Sequence, residues 1–190
     1  MRPAAWLPLL FALLLLPPAA ASAADYRIDS ARSHAEFSVR LLWVRQIAGR
    51  FTHIVGDVTL NPLRDMAVVQ ATVDVDSVAM SSARLRRWVL DPEFFDARRF
   101  PSIRFVSAPL AVGALDQGGA LPGWLTLRGV TRPVQFRLEP ASCTLRRDTV
   151  CRIEVRGQIR RSDYGMNAHR TAVSDNVDLG LMITLDAAAR

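Results

Sequence analysis

Lysine is absent from this chain of 190 residues, so all 24 of its basic residues are arginines. The simplest explanation for this bias is a general compositional preference of the source. The functional explanation is a preference for binding anions, which arginine holds through a planar fork of donors. The arginines are scattered through the chain and do not cluster with aromatic residues, which argues against nucleic-acid binding. An acidic membrane surface or an anionic headgroup suits the formal net charge of +6 better.

Motifs that carry catalysis or bind metals are also lacking. The sequence contains no G-x-S-x-G nucleophile elbow, no glycine-rich phosphate loop and no C-x-x-C pair. Its three histidines, His34, His53 and His169, do not have the spacing of metal ligands. We therefore expect no enzyme activity, no metal and no cofactor. A lipid- or quinone-modifying enzyme that uses His53 or His169 is the catalytic alternative.

Long apolar runs are confined to the N-terminus. Residues 1–24 have the order of a secretory signal peptide, with Arg2, an apolar stretch over residues 7–16 and small residues before a cleavage site near Ala23. The apolar stretch is too short for a membrane-spanning helix, which needs roughly 20 residues. We expect residues 25–190 to form one soluble domain that is periplasmic or secreted.

Cysteine occurs twice, as Cys143 and Cys151. Export permits a disulfide, and the polar residues between the two cysteines suit the tip of a hairpin. We predict a structural disulfide, which would stabilise the fold by about 2–3 kcal/mol on the chain-entropy model. The alternative, a redox-active pair, lacks the C-x-x-C motif.

Alternation of apolar and polar residues dominates the sequence after residue 25. It is clearest over residues 177–185, where Val177, Leu179, Leu181, Ile183 and Leu185 fall on one face. Similar alternation over residues 37–43, 69–76 and 153–159 predicts further half-buried strands. Turn signals separate nine or ten such runs. Because barrel closure removes unpaired strand edges, the pattern favours an antiparallel β-barrel.

One segment, residues 81–100, breaks the alternation. Ser81 or Ser82 can cap a short helix, and Asp91 followed by Pro92 is typical of a second helix start. Pro101 ends the segment. The sequence therefore predicts a mainly β fold, an antiparallel barrel with a short helical insert that plugs or covers it.

Five short motifs follow one another along the mature chain. They are Tyr26-Arg27-Ile28-Asp29; Gly49-Arg50-Phe51 followed by Gly56; Pro92-Glu93-Phe94-Phe95-Asp96 with residues 100–107; residues 125–131 around Gly129; and residues 161–166 before the closing strand at 177–185. In this order and spacing they resemble the YceI-like family of periplasmic, lipocalin-like barrels. The resemblance covers residues 26–187 and implies a lipocalin-like barrel of about eight strands that binds a polyisoprenoid or a related lipid in an apolar cavity.

Three positions depart from the family pattern. Arg32, Leu41 and Trp88 stand where the family usually carries histidine. If these positions touch the ligand, the cavity is more apolar than in relatives. The departures concern the identity of the lipid more than the fold.

The predicted ligand contacts are mostly aromatic. We expect the lipid tail to meet Phe37, Val39, Leu41, Trp43, Trp88, Phe94, Phe95, Phe105 and Phe136, and Arg32 or Arg161 to meet a polar head. About ten buried methylene groups would supply roughly 8 kcal/mol before ordering costs.

The sequence does not decide between a hollow barrel and a packed one. The alternative to a lipid-binding protein is a stress-related accessory barrel with a packed core that binds a protein partner through its arginine-rich loops. The pathway, a homodimer and transient contact with a membrane surface are also left open.

Overall fold

A computed structural model describes residues 25–42, 44–61, 63–145 and 147–188. The predicted signal peptide, residues 1–24, and Trp43 lie outside the described residues. Most of the described chain is extended. The strands are β1 (Tyr26–Ile28), β2 (His34–Leu41), β3 (Arg45–Phe51), β4 (Ile54–Asn61), β5 (Met66–Asp74), β6 (Val78–Met80), β7 (Ser102–Ser107), β8 (Leu110–Ala111), β9 (Gly119–Leu127), β10 (Val130–Leu138), β11 (Val150–Arg160) and β12 (Val173–Ala187).

The helical elements are short. Two are α-helices, α1 (Ala83–Leu90) and α2 (Val112–Gln117), and single 3₁₀ turns occur at Ser30–Arg32, Val75–Ser77 and Arg161–Tyr164. Among the described residues no helix has both the length and the apolar character needed to cross a membrane.

The strands close into an antiparallel barrel. Long strand β12 pairs with β11 on one side and with both β1 and β2 on the other. Strand β4 pairs with β1, and β3 pairs with β2. Strands β1 and β2 therefore act as one interrupted strand of the barrel, and so do β3 and β4. Strands β5 and β6 form the next interrupted strand of the barrel, and β7, β9 and β10 complete the barrel wall. The predicted eight-stranded, lipocalin-like barrel is confirmed.

A tight hairpin at Gly129 joins β9 to β10. Leu127 pairs directly with Val130, which leaves a loop of two residues. Arg128 and Gly129 have φ of 52° and 72°. Two successive positive φ values are typical of the type I′ turn, whose twist matches that of the flanking strands.

The helical insert was predicted correctly in its first half only. Helix α1 begins after Ser82, whose hydroxyl accepts a hydrogen bond from the Leu85 N–H at 3.2 Å. The second helix, expected from Asp91, is absent, because residues 91–100 form turns that fold back on α1. Phe95 donates its N–H to the Val89 carbonyl at 2.9 Å, and Ala97 donates to the Leu90 carbonyl at 3.1 Å.

Helix α2 and a loop cover the end of the barrel opposite α1. The loop, of which residues 139–145 and 147–149 are described, carries Cys143, and the predicted disulfide joins this residue to Cys151 in β11, with Cα atoms 5.4 Å apart. Asp116 of α2 accepts a hydrogen bond from the Leu145 N–H at 3.0 Å, which ties the loop to the helix. The disulfide fits an oxidising compartment.

Candidate functional site

An apolar cavity of about 170 Å³ lies inside the barrel. Its wall is formed by inward-facing side chains of nearly every strand, and α1 with the following turns covers one end. Among the described lining residues only Glu36 and Arg161 are charged, and the Glu36 carboxylate is bound outside to Arg50. The barrel is therefore hollow, which the sequence had left undecided.

The two ends of the cavity differ in exposure. At the end covered by α2, Leu115, Leu138 and Leu145 are at most 2% exposed. At the other end the lining includes Val39, Val177 and Trp88, which are only partly buried. We call the first the closed end and the second the open end.

Three aromatic rings lie flat against the wall because each covers a glycine. A Cβ atom at Gly49, Gly123 or Gly157 would come within 2.7 Å of the ring of Phe37, Phe105 or Phe136, respectively. The rings thus occupy the space of the missing side chains and not the centre of the barrel. These glycines keep the cavity empty.

Aromatic contacts also seat the segment that covers the open end. The Phe95 ring meets Phe37 and Phe51 edge-on, with ring centroids 5.5 Å apart in both cases. Trp88 of α1 packs on Phe94, with ring centroids 4.4 Å apart. We call α1 together with residues 91–100 the lid.

A hydrogen bond joins the lid to the loop before β12. His169 Nε2 lies 3.0 Å from the Glu93 carboxylate, and the His169 ring stacks on Phe94. The lid is therefore fixed on two sides, by the barrel wall and by this loop.

Arg161 closes the rim next to the lid. It is 2% exposed, and its guanidinium donates to the carbonyls of Met166, Ala168, Val173 and Ser174 at 2.7–3.0 Å. Burial lowers its pKa from the usual value, although an arginine remains charged. Four of its five N–H donors are used to hold the loop over residues 166–174.

Most of the predicted ligand contacts lie around the cavity. Those that line it are Phe37, Val39, Trp88, Phe94, Phe95, Phe105, Phe136 and Arg161. Leu41 lies beyond the lining, at the end of β2. Arg32 is exposed outside the barrel, where it forms ion pairs with Asp29 and Asp186. Trp43 lies outside the described residues.

Sequence reasoning missed much of the aliphatic lining. Leu179, Leu181 and Ile183 of β12 face the cavity, as do Ile153 and Val155 of β11. The alternation that identified these strands also marks their inward positions. It could have named these residues, whereas the prediction followed the aromatic ones.

The polar chemistry near the cavity is sparse. All three histidines are described, and none belongs to the lining. Within the described ranges no three metal-ligating side chains come together. Tyr164, buried beside Arg161, has its pKa raised to about 12 by desolvation. The arrangement can hold an apolar molecule, and it presents no histidine to a reacting group.

Comparison with known proteins gives a family match over almost all of the barrel. The model of the YceI-like domain matches residues 26–185. A UPF0312 protein of Shewanella denitrificans is 33% identical over 129 residues, which are 65% of each chain. A UPF0312 protein of Vibrio vulnificus is 34% identical over 134 residues, 67% of this chain and 69% of that one. The chain thus spans about two thirds of these relatives' length.

Solved structures share the fold at low sequence identity. BcnA of Burkholderia cenocepacia superposes with a TM-score of 0.71 at 20% identity, over 83% of this chain and 98% of that one. A polyisoprenoid binding domain from Saccharophagus degradans superposes with a TM-score of 0.67 at 16% identity, over 87% of this chain and 100% of that one. The Campylobacter jejuni YCEI protein superposes with a TM-score of 0.60 at 18% identity, over 74% of this chain and 85% of that one. On the family match and the barrel together, this chain belongs to the YceI-like family.

Proposed function

We propose that this protein is a non-catalytic periplasmic protein that carries or sequesters a long-chain amphiphile of the polyisoprenoid or fatty-acyl type. The observation that carries the proposal is the apolar cavity inside the closed barrel. The match to a polyisoprenoid binding domain supports the same class of ligand. The disulfide supports the compartment, and the resemblance of residues 1–24 to a signal peptide agrees with it.

The size of the cavity limits how much of the lipid it encloses. Its 170 Å³ is near the 150 Å³ that suffices for benzene and below the roughly 300–1,000 Å³ of most ligand pockets. A water molecule takes up roughly 30 Å³ in the liquid, and a methylene group is of similar size, so the cavity encloses about five or six methylene groups. Burying five contributes about 4 kcal/mol, which is half of what ten groups would supply.

A longer chain must therefore continue past the open end. Val39, Val177 and Trp88 are the partly exposed apolar side chains on that route. The remaining N–H of Arg161 borders the same rim and is available to a polar head. Arg32 and Leu41, which lie off this route, have no part in the proposal.

A filled cavity provides the test. Val177→Phe adds a ring to the lining at the open end, whereas Val55→Phe adds the same ring to the outer face of β4, where Val55 is 45% exposed. Because the added ring displaces at least two methylene groups of a ligand, we expect about tenfold weaker binding for Val177→Phe alone. Displacement of the fluorescent fatty acid cis-parinaric acid measures the affinity. Equal binding by both variants and by the unchanged protein would place the ligand elsewhere.

Oligomeric state is a separate question. A homodimer stays a prediction, and sedimentation equilibrium of the mature chain is the measurement that checks it.

A further inference from the structure

We propose that the open end of the barrel docks on an anionic lipid surface through the tip of the β2–β3 hairpin. The surface consists of Arg40, Leu42, Val44 and Arg45, and we call it the rim patch. A lipid can then pass between membrane and cavity without crossing water. That exchange role rests on the proposed function, whereas docking itself does not.

The apolar side chains of the rim patch are exposed. Leu42 is 60% exposed and Val44 is 90% exposed, and both lie between β2 and β3. Arg40, near the end of β2, and Arg45, at the start of β3, flank them along the chain. Exposed aliphatic side chains lose contact with water when they enter the interface of a bilayer.

The tip is fixed at the open end of the barrel. Leu41 pairs with Val173 across the β2–β12 ladder, and the Leu42 N–H donates to the Ala172 carbonyl at 2.7 Å. The same loop, residues 166–174, is held by Arg161 and contacts the lid through His169. The rim patch thus lies beside the part of the cavity wall that is least buried.

Some arginines at this end are paired, such as Arg86 with Asp76 and Arg160 with Asp163, and others have no carboxylate partner. Arg40 and Arg45 flank the apolar tip, and Arg84 and Arg87 are exposed on α1 of the lid. Among the described residues no carboxylate lies within ion-pair distance of these four. Arginines elsewhere on the barrel, such as Arg50 and Arg156, are paired with glutamates. Four cations without partners complement anionic headgroups.

A lipid surface suits the rim patch better than a protein does. Stable protein interfaces bury more than about 1,000 Å² in all, and the four residues of the rim patch offer much less. A bilayer imposes no such demand, because two aliphatic side chains and several arginines can enter its interface independently of one another. The phosphate of a headgroup is also the partner that a guanidinium holds in bidentate fashion.

Vesicle sedimentation with a matched pair of variants tests the proposal. Val44→Ser with Arg45→Gln removes one aliphatic side chain and one cation from the rim patch. Leu63→Ser with Arg64→Gln removes the same two groups from the β4–β5 turn, at the closed end, where Leu63 is 96% exposed. The vesicles contain equal parts phosphatidylcholine and phosphatidylglycerol, with pure phosphatidylcholine as the neutral comparison.

We expect the unchanged protein to sediment with the anionic vesicles and to be released by salt. The rim-patch variant should partition about tenfold more weakly, whereas the closed-end variant should bind like the unchanged protein. Absence of the unchanged protein from the pellet would overturn the proposal, as would equal losses in the two variants.

The same variants separate docking from lipid binding. Affinity for cis-parinaric acid in solution, without vesicles, should be unchanged by either double substitution. If vesicles bind while cis-parinaric acid does not, docking stands and the proposed function fails. If cis-parinaric acid binds while vesicles do not, the proposed function stands and docking fails.

Discussion

Glycines facing the cavity decide at the residue scale whether the barrel is hollow. Gly157 lies opposite Phe136 in neighbouring strands, and its missing side chain is what allows the ring to lie on the wall. The sequence contains the glycine and the phenylalanine, but it does not show that the two residues are in contact. That contact depends on the register between β10 and β11, which the disulfide loop of residues 139–149 separates.

Gly157→Ala therefore tests how the cavity is kept open. The new Cβ would lie 2.3 Å from Cδ1 of Phe136, so the ring must turn into the cavity. We expect a loss of about 1–3 kcal/mol in the free energy of unfolding, with weaker binding of cis-parinaric acid. Urea unfolding and probe titration measure the two effects.

Gly180→Ala is the matched control. Gly180 lies in β12, and a Cβ there meets no atom within 4 Å. We expect unchanged probe binding and a stability equal to or above that of the unchanged protein, because alanine restricts the unfolded chain more than glycine does. Similar losses in both variants would mean that the cost comes from the strand and not from the Phe136 ring.

Arg161 has a structural role that the sequence did not indicate. The sequence predicts that Arg32 or Arg161 meets a polar head, and for Arg161 this stays a prediction. In the structure its guanidinium holds four backbone carbonyls of residues 166–174. Because backbone carbonyls carry no side-chain signature, nothing in the sequence pointed to this use.

At the scale of elements, the lid is the part that the sequence predicted least well. Ser82 correctly marked the start of α1. Asp91 and Pro92, which are typical of a helix start, instead begin turns that hydrogen-bond back to the end of α1. Tertiary contacts of Phe95 with Phe37 and Phe51 hold these turns, and a local pattern does not contain them.

Phe95→Ala should lengthen the cavity at its open end. Removing the ring joins the enclosed space to the partly exposed region around Trp88, at a cost of about 3–5 kcal/mol in stability. We expect the optimum chain length among saturated fatty acids to increase, since more methylene groups become enclosed. Competition against cis-parinaric acid with acids of increasing length measures this optimum.

Phe100→Ala serves as the comparison for that experiment. Phe100 belongs to the same segment but packs beneath Gly129 and does not line the cavity. It should lose stability and keep the original length optimum. An unchanged optimum in Phe95→Ala would show that the lid does not limit the ligand.

At the scale of the whole molecule, the barrel was predictable because one signal repeats along the chain. Alternation in segments such as residues 177–185 marks an inner and an outer face, and the family motifs set the order of the strands. The volume inside was not predictable, because it is the small difference between the space of the barrel and the space of its side chains. The structure leaves about 170 Å³.

The central claim is that this space holds the end of a long-chain lipid, and native mass spectrometry tests it most directly. The protein is purified without detergent from the cells that naturally make it, and the bound material is extracted and identified. We predict one lipid molecule per chain, of polyisoprenoid or fatty-acyl type, and less of it in Val177→Phe than in Val55→Phe. A protein that emerges at its apo mass, and stays so when offered long-chain lipids, would contradict the account.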